Sequence, residues 1–230
     1  MKISVVIPAY NEEATVEQLL LRVRQAPFAK EILVVDDAST DGTAKRVRAV
    51  AEHAPEVRLL EHRENRGKGA ALRTAFAEVS GDVVIVQDAD LEYDPADYPT
   101  LLGPIAEGRA DVVFGSRFLG SPRGHRVLYF WHYLVNRFFT LLSNALNDLN
   151  LSDMETCYKA FRREVLDGLQ IRSNRFGFEP EFTAKVARRR LRIYEVPISY
   201  QGRTYEEGKK ITWKDGLKAL FAIVWFRFVD

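Results

Sequence analysis

Asp88-Ala89-Asp90 closes an apolar run, Val83-Val84-Ile85-Val86-Gln87. Carboxylates on alternate residues at the end of a buried strand point in nearly the same direction. Hard oxygen ligands so spaced suit Mg²⁺ or Mn²⁺, which bridge one or two carboxylates to substrate phosphates. Glu92, two residues further on, would add a third oxygen, so the expected metal set is Asp88, Asp90 and Glu92. An isolated Asp-x-Asp also caps helices and decorates loops. The weight of the reading therefore falls on what stands at the ends of the neighbouring strands.

Those strands are legible in the first half of the chain. Apolar segments at 3–8, 32–35, 57–60, 83–86 and 111–115 alternate with helical patterns from Asn11 to about Arg24, Asp41 to about Ala51, Gly69 to Val79, and Pro95 to about Glu107. Short Val/Ile/Leu strands between amphipathic helices specify an α/β fold with a mostly parallel central sheet covered on both faces. Ligands of such sheets sit at the carboxyl ends of the strands. After the first strand come Pro8 to Glu12, after the second Asp36-Asp37-Ala38-Ser39-Thr40-Asp41-Gly42, and after the fifth Gly115-Ser116-Arg117. Asn11 and Asp41 read as helix caps. Capping explains neither the acidic pair before Asp41 nor the arginine directly after a strand.

Composition narrows the function classes. The 230 residues carry 33 Lys and Arg against 32 Asp and Glu, so no overall field argues for nucleic acid. A single cysteine, Cys157, rules out an internal disulfide and suits a reducing cytosol; it reads as a small core residue. The chain enters a strand-like segment at once without the pattern of a secretory leader, and no run reaches the roughly 20 apolar residues of a membrane span. A dinucleotide-binding reading fails because Gly-x-Gly-x-x-Gly is missing after the first strand. Gly67-Lys68-Gly69 lacks the spaced first glycine and following Ser or Thr of a P-loop.

Val5-Val6-Ile7-Pro8-Ala9-Tyr10-Asn11-Glu12, Val35 to Thr43, Asn65-Arg66-Gly67-Lys68-Gly69 and Asp88-Ala89-Asp90-Leu91 together resemble the inverting family 2 glycosyltransferases of GT-A fold. Within these the chain is similar to the dolichol-phosphate mannosyltransferase and polyprenyl-phosphate glycosyltransferase branch, over residues 3 to about 210. The resemblance implies a Rossmann-like GT-A domain over residues 1–210, with an acceptor-side interface helix at about 124–148. Residues 211–230 would form a C-terminal amphipathic membrane-interface helix. It also implies transfer of mannose or glucose from GDP-mannose or UDP-glucose to a polyprenyl or dolichyl phosphate, with Mg²⁺ or Mn²⁺ as cofactor. The donor would be framed by Pro8, Tyr10, Glu12, Val35, Asp37, Lys68, Asp88, Ala89 and Asp90. Arg117 matches the arginine of a Gly-Ser/Thr-Arg motif, and Arg203 with Lys209 matches an Arg-x₅-Lys element that closes over the diphosphate. The closing loop departs from the commoner form, so Lys209 and Lys210 both fit that position. Asp90, Arg117, Arg203 and Lys209 are the expected catalytic residues.

Such chemistry needs charge stabilisation on the leaving nucleoside diphosphate, from the metal, Arg203 and Lys209. A lipid phosphate is already ionised near neutrality, with a second pKa of about 6. It would need no strong base, but would need a cation against which to approach another anion. A guanidinium at Arg117 suits that task, with Arg123, Arg126 and His132 as further acceptor-side candidates. Asp153 and Glu155 are expected near the donor sugar or in structural roles.

The lipid acceptor is also suggested by two segments. Val127, Trp131, Leu134, Phe138, Leu141 and Leu142 recur at helical spacing within 127–145. Leu220, Phe221, Val224, Trp225 and Phe228 do so within 217–229, beside Lys214, Lys218 and Arg227. Aromatic and basic residues on one amphipathic helix suit a membrane interface, as core helices or a subunit contact also would. The expected location is the cytosolic face of a membrane, held peripherally. The competing functions are a glycosyltransferase for a non-lipid saccharide, a sugar nucleotidyltransferase, and a non-catalytic relative. The second would place a Gly-rich basic loop after the first strand, where Pro-Ala-Tyr-Asn-Glu stands instead.

Overall fold

A computed structural model describes residues 1–230 apart from 29, 121–125, 128, 176, 205, 207–212 and 230. Its strands are β1 Ile3–Ala9, β2 Lys30–Asp36, β3 Val57–Glu61, β4 Val83–Val86, β5 Val112–Ser116, β6 Lys159–Arg162 and β7 Ile193–Pro197. They form one sheet in the order β3-β2-β1-β4-β6-β5-β7. All neighbours run parallel except at β6, which pairs antiparallel with both β4 and β5. Val5, Val6, Ile7, Val34, Val84, Ile85 and Val113 are wholly buried. Unbroken branched residues on both faces of a strand are what a sheet covered by helices requires.

The helices are α1 Val16–Gln25, α2 Thr43–Ala51, α3 Lys68–Phe76, α4 Tyr98–Ala106, α5 Phe130–Asn147, α6 Phe178–Arg188 and α7 Trp213–Phe228. A 3₁₀ turn at Pro95–Asp97 leads into α4. Asn11 is not the cap of α1 that its position suggested. The helix starts at Val16 after Thr15, and Asn11 lies in the left-handed region at φ 52°. There its Oδ1 accepts the N–H of Thr40 at 2.8 Å and its own N–H donates to Ser39 Oγ at 3.0 Å, so it ties the β1 loop to the β2 loop.

The reversal at β6 matters for function. Because it runs against its neighbours, the segment before it, 151–158, arrives at the same sheet edge as the carboxyl ends of β1, β2, β4 and β5. The chain leaving β7 ends at that edge too. Residues from six places in the sequence therefore share one rim.

Helix α5 packs Phe139, Leu142 and Leu146 against the core but turns a larger apolar face outward. Its buried positions are Thr140 and Ser143, whereas Phe130, Trp131, Tyr133, Leu134, Val135, Phe138 and Leu141 are exposed. The polar side bonds inward: Thr140 Oγ1 accepts the Met154 N–H at 3.2 Å, and the Asn144 amide bridges both backbone groups of Leu151. Helix α7 packs on α5 and α6. Ala219, Ala222, Ile223 and Phe226 face inward, and Leu217, Phe221, Val224, Trp225 and Phe228 stay exposed. No helix among the described residues is long and apolar enough to cross a membrane.

Candidate active site

The rim is built outward from Gln87, a fully buried amide. Its N–H continues the sheet to the Val6 carbonyl at 2.9 Å, and its Oε1 accepts the hydroxyls of Tyr98 and Tyr158 at 3.0 and 2.7 Å. Its Nε2 donates to the Asp88 carbonyl at 3.0 Å. With every polar atom of the amide used, the backbone that carries the acidic pair is held to one position. Ala89 is fixed similarly, its carbonyl accepting from Thr15 Oγ1 at 2.8 Å.

Asp88 meets the Lys68 ammonium at 2.9 Å, and the same ammonium lies 2.9 Å from Glu179 Oε1 on α6. Burial opposes the charge on Lys68, but Asp88 and Glu179 outweigh it and hold the group well above the ordinary lysine range. On the other side, one guanidinium spans three acids. Arg203 lies 3.1 Å from Asp90, 3.4 Å from Glu92 and 3.4 Å from Glu12. Glu92 also accepts the Arg203 N–H at 2.9 Å and the Tyr200 hydroxyl at 2.7 Å. Burial, then repulsion from Asp88 and Glu92, pushes Asp90 up to about 7 despite the attraction of Arg203.

Asp88, Asp90 and Glu92 thus share a strand end, as their spacing predicts, but not a three-carboxylate cage. Among the described residues no three acidic, histidine or cysteine side chains are so grouped. Glu92 is committed to Tyr200 and Arg203. What remains is a crowded pair of hard oxygen donors whose repulsion a divalent ion would relieve. That donor set fits Mg²⁺ or Mn²⁺ completed by substrate oxygens.

The donor-side expectations divide. Pro8, Tyr10 and Glu12 stand at the end of β1, with Tyr10 exposed. Val35 is wholly buried in the core, so its side chain is out of reach of a ligand. Asp37 is buried as well and spent internally. Its Oδ1 accepts the Arg66 N–H at 2.9 Å and meets His62 Nδ1 at 2.6 Å, while Oδ2 accepts the Gly67 N–H at 2.6 Å. In place of the expected contact with base or ribose, Asp37 fixes the loop that launches α3 and so aims Lys68.

Arg117 leaves β5 and forms a two-pronged pair with the wholly buried Asp153, Nε and Nη2 lying 2.6 and 2.7 Å from its two oxygens. The guanidinium also lies over the Tyr200 ring at 5.1 Å and the Phe118 ring at 5.6 Å. Phe118 meets Tyr133 of α5 edge-on at 5.3 Å, so the exposed aromatic helix begins beside Arg117. The fork expected to grip a phosphate is therefore held by a carboxylate, and a second anion can approach only the guanidinium's remaining edge. Arg126 bonds the Gly202 carbonyl at 3.2 Å, one residue from Arg203. His132 packs against Tyr129 with ring centroids 5.2 Å apart and the planes tilted by 42°. Lys209, Lys210 and Arg123 lie outside the described residues.

Four contributors escaped the sequence reading: Gln87, Glu179, Tyr200 and His62. Gln87 carried a local signal, an amide ending a run of branched apolar residues, and His62 stands just past the third readable strand. Glu179 and Tyr200 reach the rim through sheet topology.

A sequence model described as glycosyl transferase family 2 matches residues 4–169. An undecaprenyl-phosphate mannosyltransferase of Micrococcus luteus is 34% identical over 218 residues, covering 91% of this chain and 87% of its own. A dolichol-phosphate mannosyltransferase of Pyrococcus furiosus is 31% identical over 215 residues, 91% of this chain but 59% of its own, so the chain spans about three fifths of that relative. Among solved structures, glucosyl-3-phosphoglycerate synthase from Mycobacterium tuberculosis, in complex with Mn²⁺, uridine diphosphate and phosphoglyceric acid, matches with a TM-score of 0.75. The match covers 100% of this chain and 79% of the other at 24% identity, a likeness of fold.

Proposed function

The chain belongs to glycosyl transferase family 2 and is a glycosyltransferase of GT-A-like fold; on that premise we propose that it transfers a hexose from a nucleotide sugar to a polyprenyl phosphate at a membrane surface. The observation that carries the acceptor is the exposed aromatic face of α5, which begins beside Arg117, with a second exposed apolar face on α7, the helix packed against it. A long-chain lipid phosphate needs both features together, a cation for its head and an apolar surface for its chain. Relatives named for undecaprenyl and dolichol phosphates support the same class.

In this reading a phosphate oxygen of the acceptor attacks the anomeric carbon in line. The bond from that carbon to the donor diphosphate breaks, the nucleoside diphosphate leaves with the electron pair, and the configuration inverts. Asp88 and Asp90 would hold a divalent ion on the diphosphate; when bound it supplies charge neutralisation for the leaving group. Arg203 moves from carboxylates to phosphate oxygens within one site, which keeps its charge where negative charge develops. Arg117, aligned by Asp153, screens the approach of the acceptor. Because that acceptor arrives ionised, no buried base is required of the protein.

The test is a panel of GDP-mannose and UDP-glucose, each with undecaprenyl phosphate, dolichyl phosphate or a soluble saccharide, with Mg²⁺, with Mn²⁺ and in EDTA. Formation of a lipid-linked sugar that EDTA abolishes supports the reading. Metal-independent transfer removes the divalent ion from it, and transfer to the saccharide alone removes the lipid.

A further inference from the structure

Between the two halves of the rim stands Glu155, a carboxyl that no other part of the site uses. It lies two residues after Asp153, which holds Arg117, and two before Cys157, whose thiol lies by Asp88. Its Oε1 is sealed from solvent and has no hydrogen-bond partner among the described residues, and the hydroxyl of the adjacent, wholly buried Thr156 has none either. Glu155 as a residue is only half-buried, so part of it still opens to solvent, and an unmade buried bond costs folding free energy that is kept where the group serves a ligand. We propose that Glu155 is a specificity-determining residue whose carboxyl hydrogen-bonds a hydroxyl of the transferred hexose.

The surroundings select that class of ligand. Glu155 feels Glu179 on α6 most strongly, then Lys159 of β6, Arg117 of β5 and Asp153. Glu179 is paired with Lys68, and through it with Asp88. Lys159, whose own pKa burial lowers, is turned inward to the carbonyls of Met154 and Thr156. A phosphate would meet two carboxyls, with the nearby cations already paired or turned away. A hydroxyl group meets acceptors and a donor at no charge penalty. Burial, with Glu179 beside it, raises Glu155 to about 8, so near neutrality it is a neutral acid able to donate. The position also follows the geometry of the substrate: the Asp88–Asp90 side takes the diphosphate, Arg117 faces the acceptor, and the hexose must lie between them. A site built to bond one substrate hydroxyl strongly rejects an analogue that lacks it.

This inference rests on the donor reading above, and binding measurements separate the two. Affinities for GDP and UDP are compared with those for GDP-mannose and UDP-glucose, each with Mn²⁺, in wild type, Glu155→Ala and Glu155→Gln. Thermal unfolding runs alongside. The expected result is that Glu155→Ala weakens the preferred sugar nucleotide roughly tenfold, the worth of one buried hydrogen bond, and leaves the nucleoside diphosphate unchanged. Glu155→Gln keeps a donor and stays within about threefold of wild type. Equal weakening of both ligands, or no weakening, overturns the proposal in favour of a structural role. So does a Glu155→Gln variant as impaired as Glu155→Ala. Wild-type protein that binds neither sugar nucleotide overturns the donor reading and this inference with it. Wild-type binding with an unchanged Glu155→Ala overturns this inference alone.

Discussion

At Asp88 and Asp90 two carboxylates are held at the end of one strand by a backbone the protein has immobilised for them, and burial together with that crowding raises the pKa of Asp90. Removing one carboxylate removes repulsion along with any metal ligand. Asp88→Asn and Asp90→Asn are therefore expected to abolish transfer while circular dichroism shows a melting temperature within a few degrees of wild type. Arg117 behaves differently because Asp153 has no other cation at hand among the described residues and no solvent. Arg117→Ala strands a buried carboxylate at a cost of about 3–5 kcal/mol, so loss of activity there would be confounded by loss of fold. Arg117→Lys keeps the charge and loses the fork. It is expected to lower transfer at least tenfold while leaving nucleotide-sugar binding nearly unchanged in a titration. Equal loss of both would place Arg117 on the donor diphosphate.

At the scale of elements, β1 to β5 and their helices were legible because each buried strand is a near-continuous run of branched residues between helix patterns. β6 reads Lys-Ala-Phe-Arg and β7 Ile-Tyr-Glu-Val-Pro, too short and too mixed to declare themselves. With those two strands unread, no strand pattern could bring Tyr200 to the rim, Asp153 and Glu155 were placed near the donor sugar only through the family resemblance, and Glu179 lies on the helix between β6 and β7. The chemistry-bearing residues nearest the readable strand ends were found. Val35 and Asp37 were found as well, but the period of a buried strand cannot say which of its terminal residues turns inward. Another acid shows how elements are clamped far from the rim. Glu31 of β2 accepts from Ser4 Oγ of β1 at 2.5 Å and from the Ser80 N–H and hydroxyl at 2.6 and 2.8 Å, just ahead of β4. Burial disfavours its charge, yet these bonds overcome that and bring it down to about 2. A carboxyl held below its unfolded value of 4.5 contributes stability above that pH and loses it as pH falls toward 2. Urea unfolding across pH 2–7 is expected to show Glu31→Gln less stable than wild type at pH 7, with the gap closing on acidification.

At the scale of the molecule, α5 and α7, packed on each other, both expose aromatic residues on a chain whose net charge is nearly zero. Large apolar side chains withdrawn from water contribute about 1.5–3 kcal/mol each, enough for a few of them to hold the chain reversibly on a bilayer. Phe226 is not among them, because it is buried beneath the Lys185 ammonium. The informative variant changes Phe221, Trp225 and Phe228 to Ser. Wild type is expected to co-sediment with liposomes containing anionic lipid and the variant to remain in the supernatant, with added salt only weakening wild-type attachment because the apolar part is unscreened. If both stay in the supernatant, the face covers another protein surface.

The antiparallel β6 has a consequence for how the chain is made. β4 is complete once residue 86 has emerged, but the strand that covers its open edge begins only at 159. At about 5–20 residues per second of synthesis, a nascent sheet of β1 to β4 waits several seconds with a wholly apolar edge strand unpaired. Such an edge is a template for another chain. The ribosome-bound intermediate ending between 90 and 155 is the form in which this protein most needs a chaperone, and slowing translation across that stretch should lower its soluble yield more than slowing it anywhere else.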